Sequence, residues 1–288
     1  MKARAVLSIF LILPLCFACF LGGGSSTKSP GVPVPSLKME NVAFHSGSGG
    51  TIRAWFVRGA RGAGAVLLLH GAGSDRKSMS GRAAFLHALG FTVLAPDLQG
   101  NGESPGDHVT YGVRESLDAS AAMDFLHTEM PGERVGVIGV SMGGAASVLG
   151  SGPLPADAFV LESVYPTIRQ ALSDRLATWF GPLGFAGRWL TSPVISILGS
   201  EIGVTEDELK PIDRIGEVHV PLLMIAGTAD RYTPLVEAES LFAHARGTKS
   251  FWAVDGASHE DIHAYQPLEY ERRVGSFLER YLRAAQPQ

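Results

Sequence analysis

Short apolar runs alternate along the chain with longer stretches of helical periodicity from residue 41 onward. Helical periodicity predicts helices at about 78–89, 113–129, 142–150, 234–245 and 267–284. Eight runs rich in Val, Ile, Leu and Phe are typical of strands: NVAFHS, TIRAWFV, AVLLLH, FTVLAP, RVGVIGV, AFVLES, PLLMIAG and SFWAVDG. This alternation predicts an α/β fold, with a mostly parallel eight-stranded sheet flanked by helices.

One interval, about residues 163–219, breaks the alternation because it contains no clear strand. We expect a helical insertion that lies over the sheet as a lid. Its aromatic residues are candidates for a substrate pocket, although they could instead pack the insertion onto the sheet: Trp179, Phe180, Phe185 and Trp189.

The N-terminal stretch has a short basic start, an apolar run and then small polar residues. This layout is typical of an export signal, so residues 1–24 are interpreted as an export or lipoprotein signal or anchor. Residues 25–40 are rich in Ser and Pro and are interpreted as a flexible tether. The predicted folded domain is then 41–288.

Both cysteines of the chain, Cys16 and Cys19, lie in the apolar stretch. The sequence CFAC resembles a bacterial lipoprotein cleavage box, which makes Cys19 a candidate for lipidation and predicts membrane attachment through the N-terminus. Ordinary signal cleavage and an uncleaved anchor are the alternatives. We expect an exported protein of the bacterial cell envelope or periplasm, with secretion as the alternative.

Composition narrows the classes of partner. With 288 residues, of which 45% are hydrophobic and 18% charged, the chain can form one large domain. A formal net charge of −4 at pH 7, without long basic runs, argues against a nucleic acid partner. A small molecule is the expected ligand, and the sequence does not indicate an oligomeric state. Since no cysteine lies in the predicted domain, a thiol nucleophile is excluded there.

The pattern G-x-S-x-G occurs twice, around Ser104 and around Ser141. A nucleophilic serine needs a sharp strand-to-helix turn, so that a histidine can reach its hydroxyl and backbone N–H groups can stabilise an oxyanion. Ser141 follows the buried run RVGVIGV and precedes the small residues MGGAAS. Ser104 follows no strand, and Pro105 after it lacks an N–H. Ser141 is therefore the candidate nucleophile.

Three motifs together resemble the α/β-hydrolase family, in particular its small serine esterase and peptidase-like (prolyl-oligopeptidase-like) members, over residues 41–285. HGAG at 70–73 follows a predicted strand, as the oxyanion segment of that family does. DLQGNGES at 97–104 matches the family's D-x-x-G-x-G-x-S loop, which explains Ser104 as a turn residue. The third motif is the turn at Ser141.

The resemblance implies a catalytic triad in the chain order serine, acid, histidine, and Ser141, Asp230 and His259 provide that order. Each of the three follows a predicted strand. By the same resemblance, the backbone N–H groups of Ala72 and Met142 would form the oxyanion hole. We expect a serine hydrolase that cleaves carboxylic esters through an acyl-enzyme, without a metal or an organic cofactor.

Several alternatives stay open at this stage. Glu162 is a second candidate for the acid and His263 for the base, whereas His70 is expected to be structural. Peptide cleavage and acyl transfer would use the same triad. HEDIH at 259–263 fits the H-E-x-x-H motif of zinc metallopeptidases, but it lies on a segment too short for a long helix. A non-catalytic envelope protein that keeps the fold is a further alternative.

Overall fold

The computed structural model describes residues 37–259 and 261–283, except for the side chains of Phe185, Ala186 and Leu198. The expected signal at residues 1–24, Cys19 and most of the expected tether lie outside the described residues. Within the part of the chain that is described, no helix is long and apolar enough to span a membrane.

Eight strands form one sheet in the order β1-β2-β4-β3-β5-β6-β7-β8. Strand β2 runs antiparallel to both of its neighbours, and the pairs from β4 to β8 are parallel. The strands are β1 (Glu40–His45), β2 (Thr51–Val57), β3 (Ala65–Leu69), β4 (Thr92–Pro96), β5 (Val135–Val140), β6 (Ala158–Glu162), β7 (Leu222–Gly227) and β8 (Lys249–Val254). The predicted mostly parallel eight-stranded sheet is confirmed.

Ten α-helices connect and cover these strands in the described residues. They are α1 (Ser80–Ala88), α2 (Val113–Glu129), α3 (Met142–Val148), α4 (Ile168–Phe180), α5 (Gly184–Trp189), α6 (Thr191–Ile202), α7 (Pro211–Arg214), α8 (Leu235–His244), α9 (Ile262–Tyr265) and α10 (Pro267–Leu282). Short 3₁₀ turns occur at Arg76–Met79, Gly181–Leu183, Glu206–Leu209 and Ile215–Glu217.

The central strands are buried along their whole length because helices cover both faces of the sheet. Successive side chains of a strand point to opposite faces, so Leu67 and Leu69 enter one core while Val66 and Leu68 enter the other. Helices α2 and α3 cover the first face, and helices α1 and α10 cover the second. The two cores hold the strand ends in fixed relative positions.

Residues 163–219 form helices and turns between β6 and β7, as predicted, and contain no strand. Helix α4 buries Leu172 and Leu176, and the Arg169 guanidinium makes two hydrogen bonds of 2.6 Å with the Glu206 carboxylate. The bonds between Arg169 and Glu206 join the insertion to itself, and Ile168 and Ile202 belong to the first core. Its role as a lid stays a prediction.

Candidate active site

Ser141 lies in a sharp turn between β5 and α3. Its backbone has φ 50° and ψ −114°, a conformation that non-glycine residues rarely adopt and that costs energy. The Ser141 N–H donates to the carbonyl oxygen of Glu162, 2.8 Å away on the adjacent strand. The turn is therefore fixed at the carboxyl edge of the sheet, with its conformation maintained by the neighbouring strand.

Three glycines allow this turn to pack tightly. A Cβ on Gly139 would lie 2.5 Å from the Cα of Gly144, and one on Gly143 would overlap the carbonyl oxygen of Leu69. A Cβ on Gly144 would overlap the Cγ2 of Val164. No side chain fits at these positions, which is the physical reason for the small residues around Ser141.

Asp230 follows β7 and has a fully buried side chain. Its Oδ1 accepts hydrogen bonds from the N–H groups of Tyr232 and Thr233, each 2.8 Å long. Its Oδ2 lies 2.8 Å from Nδ1 of His259. The two backbone donors hold one oxygen, and thereby aim the other at the imidazole ring.

His259 follows β8, and its side chain is 20% exposed. A carboxylate can only accept, so Nδ1 carries the proton in the bond to Asp230 and Nε2 keeps a lone pair while the ring is neutral. The Tyr232 ring packs edge-on against the imidazole, with 5.5 Å between the ring centroids. The arrangement presents a proton acceptor whose orientation is restrained on two sides.

The candidate residues share one edge of the sheet, because each follows the carboxyl end of a parallel strand. Asp230 and His259 are in direct contact, and Ser141 follows β5 of the same parallel set. A Cβ placed on Gly71 would lie 3.6 Å from the Ser141 Cβ, so the HGAG segment passes beside the serine. Ala72 is the next residue of that segment, and Met142 is the first residue of α3.

His70 is buried between two backbone groups. Its Nδ1 lies 2.8 Å from the Gly71 carbonyl oxygen, and its Nε2 accepts from the Leu98 N–H at 3.0 Å. Burial lowers the pKa of His70, which agrees with a neutral ring that donates at Nδ1 and accepts at Nε2. These contacts fit the structural role that was expected of His70.

Ser104 is buried, and its Oγ accepts from the Arg53 N–H at 2.8 Å. Its loop is held by Asp97, whose carboxylate accepts from the N–H groups of Arg76 and Glu103 and from the Arg76 guanidinium. The hydroxyl of Ser104 therefore serves the loop structure, as expected of a turn residue.

The alternative acid and base have other partners. The Glu162 carboxylate accepts from the Arg82 guanidinium and from the Tyr270 hydroxyl. The Nε2 of His263 lies 2.9 Å from the carboxylate of Glu271. Both side chains are thus bonded to partners other than Asp230 and His259, and they fit a structural role better than a catalytic one.

The zinc interpretation of HEDIH is not supported by the local structure. Helix α9 has four residues and begins at Ile262, so His259 lies outside it. The motif requires both histidines on one helix, one turn apart. Here His259 bonds to Asp230, and His263 bonds to Glu271. Among the residues that the structure describes, no group of three or more His, Cys, Asp or Glu side chains could hold a metal.

The aromatic pocket candidates lie on the insertion, in α4 and α5. Trp179 is 37% exposed and Trp189 is 83% exposed, whereas Phe180 is partly buried. The side chain of Phe185 is outside the described part. Their role in binding a substrate stays a prediction.

Three residues that shape this edge were not predicted from the sequence: Tyr232, Thr233 and Arg82. The sequence indicates Tyr232 and Thr233 only as part of the turn after β7. Arg82 gave no signal, because its partners Glu162 and Tyr270 are 80 and 188 residues away in the chain.

The chain is similar in sequence to several known proteins. An uncharacterized protein of Mycobacterium tuberculosis is 30% identical over 238 residues, which cover 80% of this chain and 77% of that protein. An alpha/beta hydrolase domain-containing protein of Arabidopsis thaliana is 26% identical over 271 residues, covering 90% and 84% of the two chains.

Solved structures show the same fold. An esterase of Pyrococcus furiosus superposes with a TM-score of 0.70 at 23% identity, covering 86% of this chain and 92% of that one. An esterase from Thermogutta terrifontis gives a TM-score of 0.60 at 18% identity, covering 84% and 99%. The model of the alpha/beta hydrolase family matches residues 66–273. This chain therefore belongs to the alpha/beta hydrolase family.

Proposed function

We propose that this chain is a serine hydrolase that cleaves carboxylic esters, with Ser141 as nucleophile, His259 as general base and Asp230 as the acid that orients the histidine. One observation carries the proposal: the 2.8 Å contact between His259 and Asp230 lies at the sheet edge where Ser141 occupies its strained turn. A nucleophile, a base and an oriented acid at one edge are the parts that acyl transfer requires.

The proposed reaction begins when Nε2 of His259 accepts the proton of the Ser141 hydroxyl. The serine oxygen attacks the ester carbonyl carbon, and the π electrons of that carbonyl move onto its oxygen. The tetrahedral intermediate collapses, and His259 returns the proton to the leaving alcohol. Water then attacks the acyl-enzyme by the same route, which releases the carboxylic acid and restores the serine.

Backbone N–H groups would stabilise the oxyanion. The Met142 N–H is at the first position of α3, where a helix offers it no internal acceptor. The HGAG segment passes beside Ser141, which supports the Ala72 N–H as the second donor. Losing one such donor typically costs about 10²-fold or more in rate.

The carboxylate of Asp230 is buried next to Nδ1 and would stabilise the positive charge that the imidazole takes on during the attack. Its own charge is stabilised by the two backbone N–H groups on Oδ1. The esterases of similar fold support an ester as the acyl substrate.

The first test is labelling of the full-length chain with a fluorophosphonate, followed by mass mapping of the adduct. We expect an adduct on Ser141 that is lost in Ser141→Ala. The matched control is Ser104→Ala, which removes the serine of the second G-x-S-x-G motif and should keep the label. Labelling that survives Ser141→Ala, or equal loss in both variants, would contradict the proposed nucleophile.

Turnover of nitrophenyl esters of graded acyl length, compared with peptide nitroanilides, tests the bond that is cleaved. We expect ester hydrolysis that a zinc chelator does not change. Preferential cleavage of the anilides would make the chain a peptidase. Ester products that accumulate at the expense of acid when an alcohol is added would indicate an acyltransferase, and no turnover of any substrate would favour a non-catalytic role.

A further inference from the structure

Arg82 is a fully buried cation at the centre of a polar cluster beside the candidate active site. From α1 it bonds to Glu162 at the end of β6, through Nε at 3.1 Å and through a terminal nitrogen at 2.6 Å. Its other terminal nitrogen lies 2.7 Å from Oδ1 of Asp261. The Tyr270 hydroxyl of α10 accepts from Nε at 3.0 Å and donates to Glu162.

One carboxylate lies at the end of the strand next to the proposed nucleophile, and the other lies in the segment that carries the proposed base. Glu162 is the residue whose carbonyl oxygen accepts the Ser141 N–H at 2.8 Å. Asp261 follows His259 by two residues. Its side chain accepts a hydrogen bond from the N–H of His263 and so caps the N-terminus of α9. The Arg82 guanidinium therefore joins the end of β6, which is bonded to Ser141, to the segment that follows His259.

The cluster is built for a permanent positive charge. Burial, the largest single effect, would lower the pKa of the Arg82 guanidinium, but the interactions with Glu162, Tyr270 and Asp261 together outweigh it, so the pKa lies well above its ordinary value. The planar guanidinium presents several donors in a fixed fork, and two separate carboxylates can use it at once. A lysine ammonium at this position could not keep the same set of directed bonds.

We propose that Arg82 is a positioning residue, which sets the location of His259 relative to Ser141 by tying Glu162 to Asp261. The proposal rests on the triad assigned under the proposed function. Asp230 orients the imidazole ring through Nδ1, and Arg82 fixes the segment that follows His259 through Asp261. Arg82 acts through these carboxylates and touches no reacting atom.

Catalysis depends on the position of His259 because proton transfer from Ser141 to His259 requires that the two side chains lie within hydrogen-bond distance. A misplacement of about 1 Å in a catalytic group can cost about 10²-fold in rate. Releasing the histidine segment should therefore lower kcat and leave KM largely unchanged, since Arg82 is buried among carboxylates rather than placed against a ligand.

Two variants test this role in the full-length chain. Arg82→Lys keeps the charge but cannot maintain both bridges. Asp261→Asn removes the charged partner on the histidine segment and keeps a side-chain oxygen that can cap α9. For each we expect kcat on a nitrophenyl ester to fall about 10-fold to 100-fold with KM changed by less than about 2-fold. The matched control is Arg58→Lys, which alters an exposed ion pair with Glu129.

A spectroscopic signal separates positioning from general stability. The Nδ1 proton of His259, bonded to Asp230, should give a low-field proton NMR resonance that disappears in His259→Gln. We expect this resonance to shift or broaden in Arg82→Lys and Asp261→Asn at a temperature where circular dichroism shows both variants to be folded. The double variant should lose little more activity than the worse single variant, because both break the same link.

Folded variants with unchanged kcat and an unchanged resonance would overturn the proposal, provided that Ser141→Ala is inactive. If Arg82→Lys does not fold, the Asp261→Asn variant alone tests the proposal, since the Asp261 carboxylate is partly exposed and its replacement disturbs the core less. If Ser141→Ala keeps full activity, the proposed function itself fails, and that result is distinct from the failure of the positioning role.

Discussion

At the scale of single residues, the turn at Ser141 depends on glycines, because a Cβ atom at these positions would overlap neighbouring atoms. Gly143 touches the backbone of β3, where a methyl group would overlap the Leu69 carbonyl. We therefore expect Gly143→Ala to cost about 3 kcal/mol in the free energy of unfolding and to slow fluorophosphonate labelling of Ser141. Gly47→Ala is the control, because its Cβ would lie 3.7 Å from Leu117, an ordinary contact.

Urea unfolding of both glycine variants, together with labelling rates, checks this expectation. A Gly143→Ala protein with native stability and native labelling would mean that the close contact with Leu69 does not constrain the turn.

Asp230 offers a second prediction at this scale. Asp230→Asn keeps the shape of the side chain but can present an N–H to Nδ1 of His259, which favours the wrong tautomer of the ring. We expect kcat to fall by about 10²-fold to 10⁴-fold, less than in Ser141→Ala, with nearly unchanged circular dichroism. A change of less than about 3-fold would remove Asp230 from the proposed triad.

Much of the candidate site could be predicted residue by residue where its signal is local in the sequence. The preference for Ser141 over Ser104 came from a preceding strand and following small residues, and the buried hydroxyl of Ser104 agrees with it. The Arg82 cluster could not be predicted, because ion pairs between distant segments leave no spacing pattern. The partners of Asp230 Oδ1 are backbone groups, which a sequence does not distinguish.

At the scale of elements, a carboxyl pair joins the insertion to the core. Asp174 of α4 and Glu237 of α8 interact through their side chains, and burial, followed by the charge of Asp174, raises the pKa of Glu237 to about 8. Burial also raises the pKa of Asp174. The folded protein therefore keeps a proton here at pH values where the unfolded chain has released it.

This linkage makes stability depend on pH with a definite sign. Between the unfolded pKa of about 4.5 and the folded value of about 8, the folded state binds more protons, so the free energy of unfolding falls as pH rises. Glu237→Gln cannot titrate, and its Tm should vary less over this range than that of the parent protein. Thermal unfolding at a series of pH values measures the difference.

The matched control for this prediction is Glu239→Gln, which changes an exposed carboxyl of the same helix. It should keep the pH dependence of the parent. Equal slopes in all three proteins would show that the pair between α4 and α8 does not exchange a proton on unfolding.

Elements with strong periodicity were predictable, and those of the insertion were not. The helix predicted at 113–129 matches α2 residue for residue, and all eight predicted strands are present. The separate helices α4 to α7 were not located, because glycines and prolines between short amphipathic segments obscure their ends. Their boundaries are set by packing, as where Gly187 lies against the backbone of Leu176.

At the scale of the whole molecule, two cores share one sheet, so both must form for either to be complete. Leu68 is fully buried in the core under α1 and α10, and Leu67 is fully buried in the other. We expect Leu68→Ala and Leu67→Ala each to lower the free energy of unfolding by about 2–5 kcal/mol. Because the sheet couples the cores, each variant should unfold in one transition.

Urea unfolding monitored by tryptophan fluorescence and by circular dichroism tests this coupling. The control is Leu268→Ala, at a side chain that is 84% exposed, which should change the free energy of unfolding by less than about 0.5 kcal/mol. Transitions that differ between the two probes in only one of the core variants would mean that the cores unfold independently.

The direction of β1 determines where the chain enters the sheet relative to the candidate active site. Strand β1 is antiparallel to β2, and β2 is antiparallel to β4, so β1 runs in the same direction as the strands that end at Ser141 and His259. The described chain consequently enters the sheet at the opposite end of the strands from those residues, about 20 Å away along the strand direction for a strand of six residues. Anything attached to the chain before Leu37 is therefore joined at the end of the sheet opposite the candidate active site, so a substrate that approaches Ser141 and His259 does not have to pass the attachment point.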